Sequence, residues 1–113
     1  MRLSLEVDQM NPHVPDSQQD VISDIKDDIT EPPMYRVIIY NDDFTTKEFV
    51  IGILTAVFNK TIDEATRVMW HTHKNGRGLC GIYTLEVAET KTNLVAAAAK
   101  ENGFPLKLNI EEN

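Results

Sequence analysis

The sequence has little cysteine and no long apolar runs. Cys80 is the single cysteine among 113 residues, so the chain forms no internal disulfide and its fold does not depend on an oxidising compartment. No run approaches the length of a membrane span, and the opening residues lack the apolar stretch of a signal peptide. We therefore expect a soluble cytoplasmic protein, and a chain of this length predicts a single domain.

Basic side chains are too few and too scattered to suggest nucleic acid as the partner. The chain carries 11 Lys and Arg against 18 Asp and Glu, a formal net charge of −7. Residues 1–31 hold eight acidic and two basic side chains, whereas residues 32–113 hold ten and nine. Because phosphate binding draws on clustered Lys and Arg, this distribution argues against nucleic acid and an anionic membrane.

The N-terminal third of the chain is poor in core-forming residues. Residues 1–33 contain four prolines, a run of Asp, Ser and Gln, and scattered aliphatic side chains. Such a composition cannot repay the entropy of ordering. We predict a disordered acidic extension over residues 1–33 and a folded domain over residues 34–113. Within the extension, aliphatic residues at helical spacing favour a short, marginal helix over residues 18–29.

Hydrophobic periodicity predicts three strands and three helices in the folded domain. Their order is strand, helix, helix, strand, helix, strand, which implies an α+β fold with a three-stranded antiparallel sheet packed against three helices. The strands are expected over residues 34–40, 79–84 and 106–110, and the helices over about 45–58, 61–75 and 85–102.

Several residues signal where the helices begin and end. Thr45 with Glu48, and Thr61 with Glu64, have the spacing of capping boxes. Gly103 stands where a C-terminal cap favours a left-handed residue. The faces predicted to turn inward are Phe49, Val50, Ile53, Leu54, Val57 and Phe58 in the first helix, Ile62, Ala65, Val68, Met69, Thr72 and His73 in the second, and Val87, Ala88, Leu94, Val95 and Ala98 in the third.

Two features are candidates for a functional site. The triplet Asn41, Asp42 and Asp43 ends a hydrophobic strand with three hydrogen-bond acceptors, although these residue types are also common in turns. His73 follows Met69 by one helical turn on the inward face, which predicts a half-buried imidazole. From the residues alone, a turn and a core histidine are the simpler interpretations.

Catalytic and metal-binding patterns are unconvincing. His71 and His73 lie two positions apart on a helix, so their side chains diverge by about 200° and cannot share one ion. Cys80 lies in an apolar run, where nothing lowers the thiol pKa as a nucleophile requires, and is expected in the core. The segment 76–78 is too short for a phosphate-binding loop and follows a helix. We expect no catalysis, no metal and no cofactor.

Three segments resemble one known family. They are PPMYRVIIYNDDFTTKEFV, ATRVMWHTHKNGRG and LCGIYTLEVAETK, and their order and spacing are similar to those of the ClpS adaptor family over residues 32–110. The resemblance implies an adaptor that recognises N-degrons, substrates that begin with a bulky apolar residue such as Leu, Phe, Tyr or Trp. It would bind a Clp ATPase of the ClpA or ClpC type and deliver substrates to the ClpP protease. We expect a monomer.

The resemblance also implies roles for individual residues. Asn41, Asp43 and His73 would accept hydrogen bonds from the α-ammonium group of the substrate, and Asp42 would supply backbone or local order. An ammonium group offers three donors and one positive charge, so convergent acceptors suit it. The substrate side chain would enter a pocket lined by Thr45, Lys47, Val50, Met69, Thr72 and Leu106. The residues that would dock on the ATPase are Glu86 and Lys91.

Two pocket positions depart from the family pattern. A gatekeeping Met, which helps exclude β-branched residues, aligns with Lys47, and an aliphatic wall position aligns with Thr72. The stem of a Lys can cover apolar surface while its charge reaches water, so we expect a differently tuned rim. Acceptance of Ile and Val stays open. The competing hypothesis is a ribosomal-stalk-like interaction domain, also a small α+β fold, which would be expected to carry a Lys-rich helix face that this chain lacks.

Overall fold

The β-branched and aromatic run after Met34 forms the central strand of the sheet. In the computed structural model, which describes residues 31–113, β1 spans Tyr35–Tyr40. β2 (Arg77–Tyr83) and β3 (Leu108–Glu112) pair with β1 on either side, both antiparallel, in the order β2-β1-β3. The predicted three-stranded antiparallel sheet is confirmed. The predictions for residues 1–30, the extension and its short helix, lie outside the described residues.

Three helices complete the predicted element order. α1 spans Lys47–Ala56, α2 spans Ile62–Asn75 and α3 spans Leu85–Glu101. Val37 and Ile39, alternate residues of β1, pack in one core with residues from all three helices. The helices therefore cover one face of the sheet. The buried core residues are Val37, Ile39, Ile53, Leu54, Phe58, Ala65, Cys80, Ala88 and Val95. Within residues 31–113, no helix is both long enough and apolar enough to cross a bilayer.

The cap of α1 differs from the prediction. Thr46, not Thr45, is the N-cap, and its hydroxyl accepts a hydrogen bond from the N–H of Phe49 at 3.1 Å. The predicted capping box at Thr45 and Glu48 is wrong because Asp42 binds both the amide and the hydroxyl of Thr45. The helix also ends at Ala56, two residues before the predicted Phe58.

The other predicted caps are confirmed. Thr61 and Glu64 form both hydrogen bonds of a capping box at the start of α2, at 2.9 and 3.1 Å. Gly103 follows α3 with a left-handed φ of 73°. The last two strands begin at residues other than those predicted. β2 begins at Arg77, two residues before the predicted Leu79, and β3 begins at Leu108, two residues after the predicted Leu106.

Four residues predicted to face the core are exposed. The exposed fractions are 70% for Ile62, 55% for Leu94 and 41% for Val87. His73 is the fourth exposed residue, so its predicted half-burial is wrong. The reason is that the buried stripes are narrower than expected. The buried residues are Ala65, Met69 and Thr72 in α2 and Ala88, Val95 and Ala99 in α3. His73, Val87 and Leu94 each lie one residue, about 100° around the helix, from those stripes.

Candidate functional site

The loop after β1 meets the C-terminal end of α2. The backbone N–H of Asn41 donates a hydrogen bond at 2.9 Å to the carbonyl of Gly76, the left-handed C-cap of α2. His73 belongs to the last turn of that helix. This hydrogen bond therefore brings the loop that carries Asp42 and Asp43 to the same end of the fold as the helical turn that carries His73.

Asp42 holds the loop in shape. Its Oδ1 accepts hydrogen bonds from the backbone N–H groups of Phe44 and Thr45 at 2.8 and 2.7 Å, and its Oδ2 accepts from the Thr45 hydroxyl at 2.7 Å. Partial burial raises the pKa of Asp42, but the three hydrogen bonds together outweigh it and leave the pKa below its ordinary value. The Asp42 carboxylate is thus occupied by hydrogen bonds within its own loop.

The neighbouring acceptors remain accessible. Asn41, Asp43 and His73 are all exposed. Among the described residues, no protein donor binds the side-chain acceptors of these three residues. They comprise an amide oxygen, a carboxylate and an imidazole nitrogen, a set that can accept several hydrogen bonds and balance one positive charge.

Trp70 joins two of the predicted site residues. The ammonium of Lys47, at the first position of α1, lies 4.7 Å from the centroid of the Trp70 ring. The rings of Trp70 and His73 meet edge to face with their centroids 5.7 Å apart. Sequence reasoning did not identify Trp70. The available signal was its position three residues before His73, which places both on one side of α2.

The predicted pocket residues differ widely in exposure. Met69 and Thr72 are 5% and 4% exposed on α2, whereas Lys47 is exposed. Val50 and Leu106 pack partly buried against the core. Thr45, the sixth predicted pocket residue, is half-buried.

Thr72 packs α2 against β2. Its hydroxyl donates a hydrogen bond to the carbonyl of Val68 at 2.8 Å. The same hydroxyl lies so close to Gly78 that a methyl group there would collide with it. The hydroxyl at this predicted pocket position is therefore satisfied within the helix.

The predicted docking residues border one surface cleft. Glu86 is exposed in the first turn of α3, while Lys91 is half-buried. The Lys91 ammonium donates to the carbonyl of Val57 at 2.6 Å and lies 5.2 Å from the centroid of the Tyr83 ring. The remaining residues that line the cleft are Val87, Thr90 and Leu94.

The thiol of Cys80 is shielded from solvent. Its side chain is fully buried in the core, and this burial raises the thiol pKa to about 12. The thiol is therefore neutral at physiological pH, as the apolar context predicted. Within residues 31–113, no three His, Cys, Asp or Glu side chains group closely enough to hold a metal ion.

Comparisons of the sequence with known proteins agree on one family. Residues 30–109 match the model of the family described as ATP-dependent Clp protease adaptor protein ClpS. The ATP-dependent Clp protease adapter protein ClpS of Nitratidesulfovibrio vulgaris strain Miyazaki F is 52% identical over 99 residues, 88% of this chain and 99% of the relative. The protein of the same name from Myxococcus xanthus is 48% identical over 86 residues, 76% of this chain and 80% of the relative.

A solved structure shares the fold as well. It is that of Agrobacterium tumefaciens ClpS2 bound to L-phenylalaninamide, with a TM-score of 0.70 and 37% sequence identity. The match covers 74% of this chain and 100% of that chain. L-phenylalaninamide carries a free α-amino group next to a bulky apolar side chain.

Proposed function

This chain belongs to the ClpS family of ATP-dependent Clp protease adaptor proteins, and from that premise we propose that it binds N-degron substrates by their free α-amino group and bulky apolar side chain. It delivers them to a Clp ATPase of the ClpA or ClpC type, for degradation by ClpP. The observation that carries this proposal is the set of accessible acceptors on Asn41, Asp43 and His73 at one end of the fold. The ligand of the related ClpS2 supports it, because phenylalaninamide presents the same two groups.

Recognition of the amino group follows from its hydrogen-bonding capacity. An α-ammonium has three N–H donors, which would pair with the Asn41 amide oxygen, the Asp43 carboxylate and a neutral His73 nitrogen. Asp43 would also balance its positive charge. An acetylated terminus has one N–H and no charge, so it would leave acceptors unpaired and be rejected.

The side-chain pocket would select among free amino termini. Its proposed lining is Thr45, Lys47, Val50, Met69, Thr72 and Leu106. Met69 is unbranched and polarizable, so it can adapt to Leu, Phe, Tyr or Trp as the first residue of a substrate. Because the Thr72 hydroxyl already donates to the Val68 carbonyl, this residue can present its methyl group without leaving a polar atom unsatisfied.

Delivery would use a different face of the domain. Glu86 and Lys91 border the cleft on α3, which is the proposed contact with the N-terminal domain of the ATPase. The acidic extension over residues 1–33 is proposed to be engaged by the ATPase during delivery. The chain would act in the cytoplasm by binding alone, as a monomer without cofactor or catalysis.

A fluorescence titration tests the proposal. Trp70 is the single tryptophan of the chain, so its emission reports on ligands near His73 and Lys47 without a label. A peptide that begins with Phe should bind with saturation, whereas the same peptide with an acetylated terminus should bind at least about 100-fold more weakly. A peptide that begins with Gly serves as the control for the side-chain pocket. Equal affinity for the free and acetylated peptides would overturn the proposal.

A further inference from the structure

An exposed aromatic side chain contacts one residue of the proposed α-amino site and one residue of the proposed side-chain pocket. Trp70 is 45% exposed, so much of its indole ring is accessible to solvent and to a ligand. One face of the ring receives the Lys47 ammonium, with 4.7 Å between Nζ and the ring centroid. The ring also contacts His73 edge to face. Trp70 therefore touches one residue from each part of the proposed site.

The charge of Lys47 is a problem for a receptor of amino termini. The ligand carries a positive charge. Because Lys47 and His73 both contact Trp70, the Lys47 ammonium lies within about 10 Å of the His73 ring. This distance is roughly one Debye length at 0.1 M salt. A mobile ammonium on α1 could move closer and repel the ligand. It could also swing over the apolar pocket, where binding of a bulky side chain would strip its water.

Stacking on the indole ring limits both difficulties, because it stops the ammonium from moving nearer to the ligand. The ring quadrupole attracts the ammonium to the aromatic face, and the exposed position leaves the rest of the charge hydrated. The alkyl stem of Lys47 is then free to cover apolar surface at the rim.

We propose that Trp70 is a positioning residue that sets the selectivity of the site through Lys47, by holding the Lys47 charge on its ring and out of direct contact with the substrate's amino group and side chain. This inference rests on the proposed function, since it assumes that the ligand is a free amino terminus with a bulky apolar residue. It makes Lys47 a tolerated replacement for an apolar gatekeeper only in the company of an aromatic residue at position 70.

A double-mutant cycle tests whether Trp70 acts through Lys47. Because Trp70→Leu removes the intrinsic fluorophore, binding is measured by anisotropy of a labelled peptide that begins with Phe. We expect Trp70→Leu to weaken binding about two- to fivefold, the size of an exposed cation–π contact, and Trp70→Phe to retain more affinity. In the Lys47→Met background the same Trp70→Leu change should have almost no effect. The loss should also shrink in 1 M salt, which screens the repulsion.

The control variant lies on the same helix. Ile62→Ala removes an apolar side chain that is 70% exposed at the other end of α2, and it should leave peptide binding unchanged. An equal loss from Trp70→Leu in the wild-type and Lys47→Met backgrounds would overturn the proposal, because Trp70 would then act without Lys47.

A second measurement separates this inference from the proposed function. In the free protein, the ε-methylene protons of Lys47 should show an upfield ring-current shift that disappears in Trp70→Leu. Unshifted protons would overturn the positioning of Lys47 even if the peptide binds. Conversely, shifted protons in a protein that binds neither the free nor the acetylated peptide would contradict the proposed function and the selectivity role, while the contact between the two residues would stand.

Discussion

The ammonium of Lys91 lies 2.6 Å from the main-chain carbonyl oxygen of Val57 and donates a hydrogen bond to it. Val57 is the C-cap of α1, where helical carbonyls lack partners within the helix. The bond therefore joins α3 to the end of α1, and the nearby ring of Tyr83 adds a cation–π contact. Lys91 stabilises the fold in addition to any contact that it makes with an ATPase.

This relationship predicts different outcomes for Glu86 and Lys91, the two residues proposed to dock on the ATPase. Lys91→Ala should lower the free energy of unfolding by about 1–2 kcal/mol, because it removes a charged donor from a half-buried carbonyl. Glu86→Ala should change it by less than about 0.5 kcal/mol, since Glu86 is exposed. Urea denaturation measures both values. Capture of the N-terminal domain of the Clp ATPase should weaken with either variant, and normal capture by Glu86→Ala would contradict its docking role.

Removal of the proposed α-amino ligands should affect binding rather than stability. Asp43→Asn and His73→Ala should each weaken binding of a peptide that begins with Phe by about tenfold to 100-fold, the range for hydrogen bonds to charged groups. Both residues are exposed, so the free energy of unfolding should shift by less than about 0.5 kcal/mol. Titration and thermal melting of the same samples measure the two effects. A variant that binds normally would remove that residue from the site.

The lowered pKa of Asp42 predicts a loss of stability in acid. The folded-state pKa lies below the unfolded value of about 3.9. Stability from this carboxylate is therefore fully present above that value and is lost as the pH falls through the folded pKa. Asp42→Asn should be less stable than the wild type by about 1 kcal/mol at pH 7, and it should lose less stability between pH 5 and pH 2. The measurement is the melting temperature as a function of pH.

The control for this prediction is Asp43→Asn, which removes an exposed carboxylate from the same loop. This variant keeps the three hydrogen bonds of Asp42 and should therefore retain the acid sensitivity that they produce. If Asp42→Asn also followed the wild-type curve, the three hydrogen bonds to Asp42 would not be the source of acid sensitivity.

Two glycines should respond in opposite directions to alanine. A methyl group at Gly78 would collide with the Thr72 hydroxyl, so Gly78→Ala should cost about 1–3 kcal/mol. Nothing lies within 4 Å of a methyl group at Gly52 in α1, so Gly52→Ala should stabilise the protein by about 0.5–1 kcal/mol. Urea denaturation measures both. The packing of Thr72 on β2 would be contradicted if Gly78→Ala were as stable as the wild type.

The element order of the fold could be predicted from the sequence because periodicity and caps agree. The Thr61 and Glu64 capping box and the glycine after α3 mark boundaries by local chemistry alone. The width of a buried face is not local. Val87 and Leu94 are apolar at helical spacing, yet α3 contacts the core along a narrower stripe, so both are exposed. Which of two adjacent threonines caps α1 depends on Asp42, which binds Thr45.

The site was less accessible to sequence reasoning. Composition and spacing made Asn41–Asp43 a turn and His73 a core residue, and only the family resemblance suggested a shared role. Trp70 was missed because its significance depends on Lys47, which approaches it from a different helix. Contacts between helices depend on how the elements pack, and no periodic pattern in one helix encodes them.

A crystal structure of the protein with L-phenylalaninamide bound would test the proposed α-amino site directly. We predict that the ligand's α-ammonium lies within hydrogen-bonding distance of the side chains of Asn41, Asp43 and His73, about 2.7–3.2 Å. Its phenyl ring should contact Met69. A ligand bound elsewhere, or one whose amino group faces solvent while these three side chains stay unengaged, would contradict the proposed function.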